Sequence, residues 1–128
     1  MAKVDFTGVG DNFEPIPAGT YDAVFTSYKN HTSKNDAPYV SLEFTVNDSE
    51  YAGRKAWQNH SFQPQTLWAL KRTAKALGAG DEELTGEMDT DDLLNGLIGN
   101  DCRLDLEVRE YQGRFNNGIA AIKAVGLD

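Results

Sequence analysis

One cysteine, two histidines and four prolines are all that this chain of 128 residues has of the residue types that staple, ligate or break structure. With Cys102 alone an internal disulfide is excluded, and one cysteine with two histidines is too few for a typical structural zinc site. No apolar run approaches the roughly 20 residues a membrane-crossing helix needs. The start, Met1-Ala2-Lys3-Val4-Asp5-Phe6, lacks a signal-peptide core, so the expectation is no membrane and a protein that stays where it is made. Catalytic signatures are missing too. His31 and His60 are isolated, and there is no nucleophile elbow, phosphate-binding loop or metal-binding histidine pair. Gly78-Ala79-Gly80 follows an expected helix, where a dinucleotide fingerprint would follow a strand. The expectation is therefore no enzyme, no cofactor and no metal.

Bases are absent from one long stretch. Residues 81–92 hold seven acids and no Lys or Arg, so the formal charge of -8 leaves only -1 for everything else. This run is no EF-hand starting at Asp89, because Leu94 stands at the turn glycine and Asn100 at the last glutamate. A solvated acidic loop is the ordinary reading, and a surface that contacts a partner or imitates nucleic acid is the functional one. Between Thr20 and Gly80, by contrast, seven bases face five acids. An acidic total thus leaves room for a local positive groove.

What is present is a succession of short alternating segments in a length that suits one domain. Residues 1–13 show no period and read as an N-terminal arm before a single domain at 14–128. After the Pro15-Ile16-Pro17 lead-in, Tyr21, Ala23 and Phe25 alternate with Asp22, Val24, Thr26 and Tyr28. Lys29 to Ala37 reads as a polar loop. Val40, Leu42, Phe44 and Val46 then give the clearest strand, with the core on their side. A third strand at about Arg54 to Phe62 leaves its buried side open, since Ala56, Gln58, His60 and Phe62 face Lys55, Trp57, Asn59 and Ser61. Gln63-Pro64 opens a helix with the stripe Leu67, Leu70, Ala74 and Leu77, with Trp68 at its margin, stopped by Gly78. Thr90 is expected to cap a short second helix, through Leu93, Leu94, Leu97 and Ile98 to Gly99, packed as a lid. Cys102, Leu104, Leu106 and Val108 mark the inner face of a fourth strand, and Tyr111 to Gly118 a hairpin into a fifth ending near Val125. Three strands, a helix and two strands predict a mainly β, five-stranded OB-like barrel with a helix between strands 3 and 4 and a short second helix.

Single-strand binding asks for aromatic faces on which bases stack and cations that follow the phosphates. The mixture occurs three times. Lys29 and Lys34 lie in the first loop with Tyr39 just beyond it. Arg54, Lys55, Trp57 and His60 lie on the third strand, and Tyr111, Arg114 and Phe115 at the last hairpin. In a barrel of this kind these are the second and third strands and the loops that take oligonucleotides. The competing reading places Trp57 in the core and makes Tyr111 an ordinary strand-end residue.

Four stretches then carry a resemblance: Phe13-Glu14-Pro15-Ile16-Pro17-Ala18-Gly19-Thr20-Tyr21-Asp22-Ala23, Tyr39-Val40-Ser41-Leu42-Glu43-Phe44, Glu50-Tyr51-Ala52-Gly53-Arg54-Lys55-Ala56-Trp57 and Glu110-Tyr111-Gln112-Gly113-Arg114-Phe115-Asn116-Asn117. Together they resemble a family of small phage proteins long catalogued as a domain of unknown function, which sits among replication and recombination genes. The resemblance implies an OB-like single-stranded-DNA-binding protein of the host cytoplasm that protects exposed strands beside a phage recombinase or annealing protein. A free barrel edge would allow a homodimer. The rival expectation is a protein-interaction or anti-defence module that uses residues 81–92.

Overall fold

A computed structural model describes Lys3, residues 15–47 and residues 50–125, apart from the side chain of Tyr111. The expected arm at 1–13 lies outside the described residues except for Lys3. Alternation of apolar and polar side chains builds five strands: β1 (Gly19–Thr32), β2 (Pro38–Val46), β3 (Lys55–Ser61), β4 (Asp101–Tyr111) and β5 (Arg114–Ala124). They form one antiparallel sheet in the order β3-β2-β1-β4-β5. Helix α1 (Leu67–Ala76) follows β3, a 3-10 turn covers Asp81–Leu84, and α2 (Thr90–Leu97) precedes β4. The mainly β class and the helix between strands 3 and 4 are thus as read from the pattern.

The core is the inner face of this sheet. Phe25 and Phe44 pair across β1 and β2 with ring centroids 5.6 Å apart, flanked by Val40, Leu42, Val46, Cys102 and Leu104, all fully buried. From the helices Leu77, Ala74, Leu94 and Leu97 close over it. Ile16 is pinned into the same core by a reciprocal pair with Asn117, whose Oδ1 accepts from the Ile16 N–H at 2.7 Å and whose Nδ2 donates to its carbonyl at 2.8 Å. Burial, aided by Asp101, pushes the Cys102 thiol up to about 12, so it is a core side chain with no thiolate to offer.

Hydrogen bonding leaves the sheet open. Among the described residues no ladder joins β3 to β5, so a closed barrel is not what the pairing forms. These two edges nevertheless approach each other within 8 Å between Cα atoms, and α1 packs against both.

Several local expectations are corrected. The polar stretch from Lys29 is not loop: Lys29, Asn30, His31 and Thr32 pair with Ser41, Val40, Tyr39 and Pro38, because ladder bonds use the backbone and tolerate polar side chains. The loop shrinks to Ser33–Ala37, where the Ser33 hydroxyl accepts from the Asn35 and Ala37 N–H groups. A bulge between Phe25 and Ser27 inserts Thr26, so Tyr28 changes sides and packs against the core instead of sharing the face of Asp22 and Val24. Residues Gln63 to Thr66 form a turn, so Pro64 precedes α1 and Leu67, at the helix start, is exposed. Asp89, not Thr90, caps α2: its side chain accepts from the Asp91 N–H at 2.8 Å. Val108 and Ile98 extend past the core and are exposed. At the hairpin Gln112 and Gly113 both take positive φ, 50° and 78°, the backbone a two-residue turn needs to match strand twist.

Candidate nucleic-acid interface

Strand β3 decides which side chains this face presents. It is an edge strand paired on one side with β2, and the small Ala56 fits against Phe44 while His60 fits under α1. That parity turns Lys55, Trp57 and Asn59 outward. Trp57 is 57% exposed, which removes the reading that placed it in the core.

Phe115, near the start of β5, is 53% exposed, although Phe is among the residues most often buried. The two exposed rings line a single cleft of about 570 Å³ across the β3–β5 edge. Arg54 and Lys55 form one wall, and Pro15, Asn116 and Asn117 form the other with Phe115. The approach to β3 is held rigidly: the Val46 N–H donates to the Arg54 carbonyl at 2.7 Å and the Gly53 N–H to the Val46 carbonyl at 2.8 Å. Gly53 takes φ +92°, a conformation that side chains rarely adopt, and so lets the chain turn sharply at the cleft rim.

The outer face continues along β2. Trp57 stands opposite Glu43, Lys55 opposite Thr45, and Tyr39 opposite His31. The His31 and Tyr39 rings stack at 5.0 Å with 17° between planes, a second aromatic platform four residues along β2 from the Trp57 row, or about 13 Å. Lys29 shares the face and side of His31, and Lys34 occupies the turn beyond; both are exposed. Glu43 is the carboxylate in this row. Its charge is partly offset by Lys55 at 3.6 Å, and it accepts from the Thr26 hydroxyl at 2.9 Å. Lys55 also donates to Thr45 Oγ1 at 2.9 Å, which holds the ammonium over β2.

Of the residues singled out from the sequence, Arg54, Lys55, Trp57 and Phe115 therefore share one cleft, while Lys29, Lys34 and Tyr39 lie at the far end of the same face. Arg114 is exposed but, by alternation, points to the other side of β5 from Phe115. Tyr111 pairs with Arg114 through the backbone, and its side chain is outside the description. His60 is the correction. It is buried, its Nε2 lies 2.9 Å from Thr73 Oγ1 of α1, and burial lowers its pKa, so it is a neutral internal group with no surface to offer phosphate.

Four lining residues are not among those singled out from the sequence: Pro15, Gly53, Asn116 and Asn117. In the sequence the Asn116-Asn117 pair reads as part of the hairpin and of the fourth resembling stretch, without a site role. Trp68, expected at the margin of the α1 stripe, is 64% exposed. Among the described residues no group of three or more His, Cys, Asp or Glu is arranged to hold a metal ion, and no helix is long and apolar enough to cross a membrane.

Residues 2–126 match the family described as a protein of unknown function, DUF669, which bears out the resemblance to a domain of unknown function and no more of it than that. No curated protein matches the chain.

Proposed function

We propose that this chain, which belongs to the DUF669 family, is a non-enzymatic binder of single-stranded DNA that is tolerant of base sequence. The observation that carries the proposal is the pairing of two solvent-exposed aromatic rings, Trp57 and Phe115, across a cleft walled by Arg54 and Lys55. Exposing rings of that size costs apolar burial, and a stacked base recovers it irrespective of base identity. The stacked His31–Tyr39 pair with Lys29 and Lys34 extends the track along β2.

In this reading the sheet is an OB-like barrel left open at one seam. The strand order and the approach of the β3 and β5 edges support it, since that architecture binds oligonucleotides on strands 2 and 3 and on the loops beside them. The resemblance to phage replication and recombination proteins supports a role in protecting exposed strands in the host cytoplasm, beside a recombinase or annealing protein.

Titration with oligo-dT at low salt tests the reading. Tryptophan emission is expected to be quenched, and Trp57→Ala or Phe115→Ala to weaken binding by about 1 to 3 kcal/mol while the thermal melt stays near wild type, because both rings are exposed. Absence of quenching and of a gel shift would sink the proposal, and tighter binding to duplex than to single strands would remove the stacking mechanism.

A further inference from the structure

A second groove lies between α1 and the acidic segment, and it differs from the first in the sign of its rim. Phe62, Leu67, Trp68, Leu84, Met88 and Leu93 line it, around a volume of about 440 Å³. Trp68, Leu67 and Met88 are 64%, 41% and 38% exposed, so three large apolar side chains meet water side by side. Contiguous exposure of this kind marks an interaction surface.

Its edge is the run from Asp81 to Asp92. Some of these acids have local tasks: Asp81 pairs with Lys75 at 2.8 Å, Asp89 caps α2, and Asp91 accepts from Asn30 Nδ2 at 2.8 Å. Glu82, Glu83, Glu87 and Asp92 have no ion pair and no side-chain hydrogen bond among the described residues, and Glu87 lines the groove itself. Lys71 is the base on its wall. An apolar floor under an acidic rim repels a phosphate backbone and attracts a segment that carries apolar anchors between cations.

We infer that this groove docks a cationic amphipathic segment of a partner protein, its apolar side chains against Trp68, Leu67 and Met88 and its Lys or Arg side chains against Glu83 and Glu87. The proposal stands apart from the DNA reading, because it uses different residues and the opposite charge. The chain's two tryptophans make the sites separately observable: Trp57→Phe leaves Trp68 as the sole reporter, and Trp68→Phe leaves Trp57.

The probe is a short fluorescein-labelled peptide of leucine and lysine in amphipathic order, with a counterpart in which glutamate replaces every lysine. The lysine peptide is expected to raise its anisotropy with the full chain, to lose affinity with salt, and to shift Trp68 emission to the blue in the Trp57→Phe variant. The glutamate peptide should not bind. Leu67→Ala with Met88→Ala should weaken binding about tenfold, the scale of an interface anchor, and the charge reversal Glu83→Lys with Glu87→Lys by a similar factor. All four positions are exposed, and an unchanged melting curve checks that each variant is folded. No binding of the lysine peptide, equal binding of both peptides, or indifference to both pairs of variants overturns the proposal. So does self-association of the free chain that the Leu67 and Met88 variant disperses, which would make a second copy the occupant.

Discussion

His60 and Glu43 show how a single side chain's surroundings set its role. With the imidazole buried against Thr73, its folded pKa lies below the ordinary value of about 6.5, so the unfolded chain takes up a proton first as pH falls. Stability is thus expected to be full above the unfolded value and to decline as pH drops from about 6.5 toward the lowered folded pKa. Urea midpoints across that range should fall in the wild type and fall less in His60→Gln, whatever the offset between the two proteins; parallel curves would show that His60 does not carry the dependence. Glu43 belongs to the surface instead. It sits opposite Trp57 and pairs with Lys55, so Glu43→Gln removes a carboxylate from the proposed phosphate path and leaves the ammonium, still bonded to Thr45, without its counter-charge. Oligo-dT affinity should rise in that variant by a few fold at low salt and converge with wild type at high salt. A weaker complex would place the DNA elsewhere.

At the scale of the element, the bulge in β1 is the feature on which the outer face depends. Thr26 is the extra residue, and its hydroxyl bonds to Glu43 tie it across to β2. Beyond it the parity reverses, which sends Tyr28 and Asn30 toward α2 and leaves Lys29 and His31 outside. Tyr28 donates to Asn95 Oδ1 at 2.9 Å and Asn30 to Asp91. Because Thr26 is the extra residue, deleting it would leave Ser27 opposite Glu43 and Tyr28 opposite Leu42 in a regular ladder, with Lys29 and His31 still outside. The deletion is expected to lower the urea midpoint by about as much as Thr26→Ala, which loses hydrogen bonds worth about 1 kcal/mol. A midpoint far below that of Thr26→Ala would show that the bend of the bulge itself holds Tyr28 against the core. None of this was visible in the alternation of Tyr21, Ala23 and Phe25, because a bulge adds a residue without leaving a mark on the residue types around it.

For the whole molecule, the distribution of charge matters more than its sum. The carboxylates of residues 81–92 gather beside α1 and α2, while Lys29, Lys34, Arg54, Lys55 and Arg114 serve the β1–β3 face and the β4–β5 hairpin. If Lys29, Lys34, Arg54 and Lys55 all met phosphates, the logarithm of oligo-dT affinity would fall against the logarithm of salt with a slope of about -2.8, at about -0.7 for each contact on a single strand. Lys29→Ala should reduce the slope by about 0.7. A slope near zero would show that phosphates are not engaged, however strong the stacking.

Local chemistry was enough to determine much of this protein. The two-residue period marked the first four strands and the hairpin residues the fifth, Gly78 and the acids of the first turn marked helix ends, and Gln112-Gly113 supplied a turn, because such signals act between residues a few positions apart. The concentration of acids in one segment was likewise a property of the chain alone. Tertiary structure decided the rest. Whether Trp57 or His60 faced the core depended on whether Ala56 could sit against Phe44 and on α1 arriving over β3 with Thr73, contacts between distant segments. The meeting of Trp57 with Phe115 depended on the curl that brings the two edge strands together, since no ladder joins them and no pattern within either strand encodes the distance to the other.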